Sequence, residues 1–326
     1  NGYYYLAAPV VLSATWKCEY DVKLCLNGYS ITQTTDKAEV IEITSAGSLT
    51  LSDCNSNGRD NGKITHSADK QGTGVRVSGG NFIMYGGSIA KNTYTVISTY
   101  SYYRGGGVGV RGGNFTMYGG SITGNTALNG GGVCVGTETS EMYGKATFQM
   151  YGGTISNNKT IGYDGNIGGA GGGVYVAYYY TDGQSGGTVQ NPAEFTMYGG
   201  TISNNRTAYG AVDVHGIFTM QGGSISDNSA TVVGGGVYTN ETGTFTMLDG
   251  SISGNTTNNG GGVYIYKTGT LIMKGGNISG NTASKSGGGV YSTGSTITVG
   301  GTANITDNKG GNVNLFKDQI ITIGIE

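Results

Sequence analysis

The chain of 326 residues repeats one pattern of apolar and polar positions from about residue 74 to its C-terminal end. With small changes, the repeat contains Phe-x-Met followed by Tyr-Gly-Gly, then an Ile five residues after the Met and an Asn eight residues after it. The Met positions are Met84, Met117, Met150, Met197, Met220, Met247 and Met273, and Val299 takes the next slot. Such a repeat indicates a solenoid, whose units bury their apolar faces only by stacking on their neighbours.

Within one repeat the apolar residues alternate with polar ones, as in Val174-x-Val176 and Phe195-x-Met197 before Ile202. Alternation is typical of strands that bury one face. We therefore predict an all-β parallel β-helix of about ten coils, each with three short strands, and about 50 Å of rod at the ~4.8 Å strand spacing. Val, Phe, Met, Leu and Ile alone are expected in the inward slots.

The Asn column is predicted to be structural. Its members recur at one corner of every coil, where side-chain amides can bond the backbone of their own and the neighbouring coil. They are Asn92, Asn125, Asn158, Asn205, Asn228, Asn255, Asn281 and Asn308. His66 stands outside this column and is expected to be solvated.

The chain is predicted to form a single domain over residues 1–326. Residues 1–40 follow the pattern less closely, as atypical end coils of solenoids do. The chain begins within the pattern and no polar cap follows its last strand pattern, so we interpret it as a fragment of a longer protein.

Composition narrows the possible functions. The 65 glycines argue against a helical protein, and no stretch approaches the roughly 20 apolar residues of a membrane span. The 18 basic and 20 acidic residues leave a net charge of −2, which gives no reason to expect nucleic acid or anionic lipid as a partner. Tyrosine, with 24 copies, is the one compositional sign of a binding surface.

The four cysteines show no pattern of metal ligation, because they lack a C-x-x-C pair or a His at ligand spacing. We expect no metal and no cofactor. Cys18 falls in an inward slot and Cys134 in an outward one. Cys25 and Cys54 lie on successive turns, where pairing is possible, although buried free thiols are the simpler interpretation.

Insertions interrupt the repeat at 93–104, 136–147, 159–170 and 177–194, and loops on a rigid scaffold are the usual place for function. These insertions concentrate aromatic residues and an arginine, a composition typical of binding hot spots. The candidate ligand-binding residues are Tyr94, Tyr100, Tyr102, Tyr103, Arg104, Tyr163, Tyr178, Tyr179 and Tyr180. The alternative is that these rings fold back over the coils as a satellite core.

Two columns of outward tyrosines form a second candidate surface. One contains Tyr85, Tyr118, Tyr151 and Tyr198, and the other contains Tyr175, Tyr238, Tyr264 and Tyr291. Stacking of like residues on a parallel ladder explains both columns, although a flat row of rings is also suited to sugar faces. Ser and Thr flanking the Ile column resemble the face of ice-binding β-helices, but a solvated sheet face explains them more simply.

Catalysis is the minority interpretation, because polysaccharide lyases and hydrolases need convergent acids and the outward slots carry mostly Ser, Thr, Tyr and Gly. Asp213 and His215 are the exception. They are expected to point outward on one strand, beside the loop at Tyr178, as the orienter and base of a catalytic pair. Lone surface pairs of this kind are also common.

Leu24-Cys25-Leu26-Asn27-Gly28 and Phe115-Thr116-Met117-Tyr118-Gly119-Gly120 resemble the right-handed β-helix repeats of large cell-surface proteins from gut Firmicutes. The resemblance spans nearly the whole chain. It implies a right-handed, single-stranded β-helix in a secreted or cell-wall-anchored, extracellular protein of a Gram-positive gut bacterium. We expect a non-catalytic adhesin or stalk that contacts a host glycoprotein, glycan or immune protein. A polysaccharide-active lyase or glycosidase, to whose fold this one is loosely similar, and a structural spacer remain alternatives.

Overall fold

The chain is an all-β solenoid of parallel strands, seen in a computed structural model. The structure describes residues 2–54, 62–96, 105–137, 144–162, 164–180, 190–294, 296–316 and 319–324. At residues 179–180 and 190–191 it describes the backbone but not the side chains. Equivalent strands of successive coils pair in register, as Ile122, Ile155 and Ile202 show. The predicted parallel β-helix is confirmed.

Each coil begins with a Val-x-Val strand, and these strands form the valine stack. Its members are Trp16–Cys18, Ile41–Ile43, Val75–Met84, Val108–Met117, Val133–Val135, Val174–Val176, Val212–Val214, Val237–Thr239, Val263–Ile265, Val290–Ser292 and Val313–Leu315. The strands Val75–Met84 and Val108–Met117 also run on into the next stack, which joins the two stacks into one 21-stranded sheet.

The Phe-x-Met strands form the phenylalanine stack. Beside those two long strands its members are Gly2–Tyr5, Asp21–Cys25, Ser48–Ser52, Ala146–Met150, Glu194–Met197, Ile217–Met220, Thr244–Met247, Thr270–Met273, Thr296–Gly300 and Ile321–Gly324. The bend after each Met requires glycine: Gly153 has φ +84°, and a Cβ there would lie 2.6 Å from Met117 Cε.

The third predicted strand forms the isoleucine stack, an 11-stranded sheet that agrees with the expected number of coils. Its members are Val10–Leu12, Ser30–Gln33, Lys63–His66, Ser88–Ala90, Ser121–Thr123, Thr154–Ser156, Thr201–Ser203, Ser224–Ser226, Ser251–Ser253, Asn277–Ser279 and Asn304–Thr306.

The structure adds a fourth, shorter stack after the Asn corner, which the sequence did not reveal. It contains Thr93–Tyr94, Thr126–Ala127, Lys159–Thr160, Arg206–Tyr209, Ser229–Val233, Thr256–Asn259 and Thr282–Ser286. Several members have only two residues, which is too short for alternation to mark a strand. A separate antiparallel hairpin joins Tyr178–Tyr180 to Gln190–Pro192.

The core is a set of columns that run along the solenoid. Phe82, Phe115, Phe148, Phe195, Phe218 and Phe245 stack with ring centroids 4.6–4.9 Å apart. Met117, Met150 and Met197 lie fully buried in one column, as predicted. The expectation that only Val, Phe, Met, Leu and Ile fill inward slots is wrong at Thr239 and Ser292, which are fully buried in the valine stack.

The Asn column is an internal ladder, as predicted. Asn158 Nδ2 donates to the Ile122 carbonyl of the preceding coil at 2.9 Å and to Asn205 Oδ1 of the next at 3.1 Å. The backbone N–H of Asn158 also donates to Asn205 Oδ1. Each buried amide thereby satisfies polar groups on three coils, and such satisfaction is what a buried polar column needs.

His66 corrects an expectation, because it is buried rather than solvated. Its Nδ1 lies 2.7 Å from Asn92 Oδ1, and its Nε2 lies 2.8 Å from the Ala38 carbonyl. His66 therefore occupies the N-terminal end of the Asn ladder, in register with Gln33 of the preceding coil.

Two of the cysteines form a disulfide, and the other two, Cys18 and Cys134, are buried outside it. Cys25 and Cys54 form a disulfide, with their Cα atoms 5.8 Å apart. Cys18 lies in the core as predicted, and Cys134 is buried although its slot faces outward. Burial raises the pKa of the Cys18 thiol.

Candidate ligand-binding face

The predicted tyrosine loops fall mostly outside the described residues. Tyr100, Tyr102, Tyr103, Arg104 and Tyr163 lie there, and their contact with a ligand stays a prediction. Tyr178, Tyr179 and Tyr180 form one strand of the antiparallel hairpin, and the Tyr178 side chain is partly buried.

Tyr94 belongs to the wall of the solenoid. It pairs with Ala127 in the fourth stack, and its side chain is only 6% exposed. Tyr94 is one of the predicted binding residues, but it offers little surface to a ligand.

A small second core lies on the outer face of the valine stack. Cys134, Tyr175 and Ala177 cluster there and are buried although the first two occupy outward slots. Ala177 leads directly into the hairpin, and the Ala193 backbone N–H donates to the Ala177 carbonyl at 3.1 Å. Tyr175, which the sequence assigns to an outward column, is therefore buried in this second core instead of presenting a ring to solvent.

Asp213 and His215 do pair, but not on an open surface. Asp213 shares the outward register of Tyr175 and Tyr238, yet it is 1% exposed, so the expectation of an accessible outward acid is wrong. Its Oδ1 lies 3.0 Å from His215 Nε2, an ion-pair distance, although no hydrogen bond joins the two atoms. The tilted ring of Tyr175, its centroid 5.0 Å from that of His215, helps to enclose the pair.

The other nitrogen of His215 is also occupied. Asn240 Nδ2 lies 2.9 Å from Nδ1 and 3.2 Å from Nε2. The Glu241 backbone N–H donates to Asn240 Oδ1, and this bond turns the amide nitrogen toward the imidazole. A general base needs a nitrogen within reach of the proton it removes. Here both ring nitrogens already have partners, so the arrangement favours a structural role.

Tyr238, Tyr264 and Tyr291 stack beyond Asp213 on the valine stack, with neighbouring centroids 5.7 and 5.3 Å apart. Burial, followed by the charge of Asp213, raises the pKa of Tyr238 far above its ordinary value. Burial also raises the pKa of Tyr264. The phenols of Tyr238 and Tyr264 therefore keep their protons, and the three rings form part of the wall.

The tyrosine column on the phenylalanine stack is different, because it is open. Tyr85, Tyr118, Tyr151 and Tyr198 have exposed fractions that fall from 55% to 37% along the column. Their centroids are 4.8, 4.9 and 4.4 Å apart, with ring planes within 16° of parallel. We call these four residues the tyrosine ladder. Because each ring covers its neighbour, the ladder presents ring edges and hydroxyls instead of the flat row of faces that the sequence suggested.

A polar groove of about 410 Å³ lies on the outer face of the phenylalanine stack. The tyrosine ladder is not part of its lining but follows two residues after the lining residues Ile83, Thr116, Gln149 and Thr196. Asn81, Asn114, Thr147 and Glu194 form one side of it, one from each of four successive coils. Asn114 Nδ2 donates to Asn81 Oδ1 at 2.9 Å, and Thr147 Oγ1 donates to Asn114 Oδ1 at 2.7 Å. We call these four residues the amide row, and the bonds among Asn81, Asn114 and Thr147 fix that part of it before any ligand binds.

Sequence reasoning missed this groove, although a signal was present. The residue before each Phe is polar in these four coils, and it becomes Ile217 in the next. The ladder slot changes at the same place, from Tyr198 to Gln221. The four coils with a specialised outer face are also those among which the four insertions occur.

Within the described ranges, no group of three or more His, Cys, Asp or Glu residues is placed to hold a metal ion. Among the same residues, no helix has the length and apolar character needed to span a bilayer.

Comparison with known proteins identifies no relative: no family model, curated protein or solved structure matches the chain. The strand pairing therefore defines the fold, and the geometry of the outer face is the basis for the proposed function.

Proposed function

We propose that this protein is a non-catalytic, cell-surface adhesin or stalk whose solenoid presents one face to a host glycoprotein, glycan or immune protein. The observation that carries the proposal is the coincidence of three features in four successive coils. The tyrosine ladder, the polar groove and the insertions all occur there, whereas the later coils have neither a tyrosine in the ladder slot nor an insertion. Loops on a rigid scaffold and an exposed aromatic row in the same coils are both features typical of recognition.

An extracellular location is part of the proposal. The Cys25–Cys54 disulfide supports it, because disulfides persist in oxidising environments outside the cytosol. The resemblance of the repeat phrases to surface proteins of Gram-positive gut bacteria supports it further.

The competing proposal is a polysaccharide-active enzyme that uses Asp213 and His215. The buried acid and the two occupied imidazole nitrogens weigh against it. It predicts release of oligosaccharides that stops in Asp213→Asn or His215→Ala. Such release would replace the adhesin proposal.

The test is a binding screen of the purified chain against immobilised glycans and host surface proteins, with a hairpin-trimmed variant alongside. An Asn-Gly turn would replace residues 179–191, joining the paired residues Tyr178 and Pro192. Ala177 and Ala193 stay, because both are buried. We expect the parent to bind a ligand and the trimmed variant to fold and bind it more weakly. A parent that binds nothing across a broad panel would contradict the proposal and favour a spacer.

A further inference from the structure

The polar groove has a direction. Its lining repeats the same slots in four coils, so its long axis follows the solenoid axis rather than any strand. Three coil steps at ~4.8 Å each make it about 14 Å long. A ligand that fills it must be extended and must repeat at about the length of one coil step.

The groove can recognise a ligand by hydrogen bonds. Its sides carry amides and hydroxyls, among them Asn114, Thr116 and Gln149. The tyrosine ladder adds a phenol at every coil. Desolvation raises the pKa of Tyr151, and the neighbouring phenols of Tyr198 and Tyr118 raise it further, so this hydroxyl keeps its proton.

Charge indicates a neutral ligand. The one acid in the lining, Glu194, is paired with Lys145 at 2.5 Å. The remaining side chains of the lining are uncharged. An anionic polymer would find no unpaired cation among the lining residues, and a cationic one would find no unpaired acid.

A peptide fits this face less well than a sugar chain. The strands under the groove are paired on both sides, as Ala146–Met150 is by the Val108–Met117 and Glu194–Met197 strands. They expose no free edge for strand addition, which is the usual way a sheet binds an extended peptide.

We propose that the groove binds a neutral, unbranched polysaccharide laid along the solenoid axis, with sugar hydroxyls bonded to the amide row and, beyond Thr116 and Gln149, to the tyrosine hydroxyls. One pyranose unit of an extended chain is close in length to one coil step. The inner rings, Tyr118 and Tyr151, have both faces covered by neighbours. They therefore contribute hydroxyls, whereas stacking on sugar faces is the more usual role of aromatic residues in recognition. This inference rests on the proposed binding function and specifies its ligand.

The test uses the change from Tyr to Phe, which removes a hydroxyl and keeps the ring. Affinity of the full chain would be measured by calorimetry with soluble neutral glucan, mannan, xylan and chitin oligosaccharides, and with oligogalacturonate as the anionic comparison. We expect at least one neutral series to bind and oligogalacturonate not to bind. Tyr118→Phe and Tyr151→Phe should each weaken binding by about three- to tenfold, the effect of one neutral hydrogen bond.

Two controls make the result specific. Tyr291→Phe, in the column on the valine stack, should leave affinity unchanged. Asn114→Ala should weaken binding, because that side chain lies in the middle of the amide row.

The experiments distinguish a wrong binding site or ligand from the absence of any binding function. If Tyr118→Phe and Tyr151→Phe bind as tightly as the parent while trimming the hairpin abolishes binding, the protein is a binder but the groove is not its site. If oligogalacturonate binds best, the neutral ligand is wrong. If no saccharide binds but a host protein does, the adhesin proposal survives and the glycan inference is overturned.

Discussion

Single side chains account for much of what holds the solenoid in one register. Thr239 is a polar residue in an apolar slot, between Val214 and Ile265 of the neighbouring coils. Its side chain is fully buried, and its hydroxyl makes no hydrogen bond with any described residue. A buried hydroxyl without a partner costs free energy, and valine has nearly the same shape.

Thr239→Val should therefore stabilise the protein, by about 1 kcal/mol, the scale expected for an unsatisfied hydroxyl. Thermal unfolding followed by circular dichroism measures the change. The reverse substitution in the same column, Val214→Thr, is the matched control and should destabilise. A lower melting temperature for Thr239→Val would show that the hydroxyl has a partner in solution.

Tyr238 gives a prediction on pH. Its pKa is raised above the ordinary value of 10.0, so the neutral phenol is favoured in the folded state. Its contribution to stability is complete below pH 10 and is lost as pH rises beyond it. Tyr238→Phe should lose less stability than the parent above pH 10, measured by urea unfolding across the alkaline range. The exposed Tyr20→Phe should follow the parent, and equal alkaline losses in all three proteins would contradict the account.

At the scale of elements, the Asn ladder fixes the third corner of the coils. It ends at His66 on one side, and on the other Asn312 Oδ1 accepts from the Asn308 backbone N–H. Asn158 lies in the middle and serves Ile122, Asn125 and Asn205. Its removal leaves buried polar groups on three coils without partners.

Asn158→Ala should destabilise the folded protein by about 3 kcal/mol, since each buried polar group left without a hydrogen-bond partner costs about 1–3 kcal/mol. Asn308→Ala is the matched comparison at the partly exposed end of the ladder, and we expect a smaller loss. Both are measured by chemical denaturation. If both variants lost the same free energy of unfolding, the bonds that Asn158 makes to the coils on both sides would not contribute to stability.

The columns of equivalent residues could be predicted from the sequence. The residues that end a column, and those that bury an outward slot, could not. Met150 and Asn158 recur at a fixed offset, so the sequence alone places them. His66 breaks the offset, and its partner Asn92 is 26 residues away, so only the folded coil reveals the contact. Asp213 was correctly placed in an outward slot, but its burial depends on Tyr175 and His215, whose positions relative to it the repeat does not specify.

At the scale of the whole molecule, each coil stacks on its neighbours, so a defect in one slot is felt by the coils on both sides. Met150 lies fully buried between Met117 and Met197. Met150→Asp would place an unpaired charge in this column, at a cost of several kcal/mol. We expect a much lower melting temperature and loss of several coils together, read by hydrogen exchange. Gln149→Asp, on the outward side of the same strand, should unfold close to the parent.

We propose above that four coils of a structural rod carry a binding face. The most direct test gives those coils the side chain of their successor: Tyr85, Tyr118, Tyr151 and Tyr198 are all changed to Gln, the residue at position 221 in the same slot. The variant would be compared with the parent on the ligand that the screen identifies. We predict an unchanged fold by circular dichroism and a loss of binding. Full binding by this variant would contradict the assignment of the site to the tyrosine ladder and its groove.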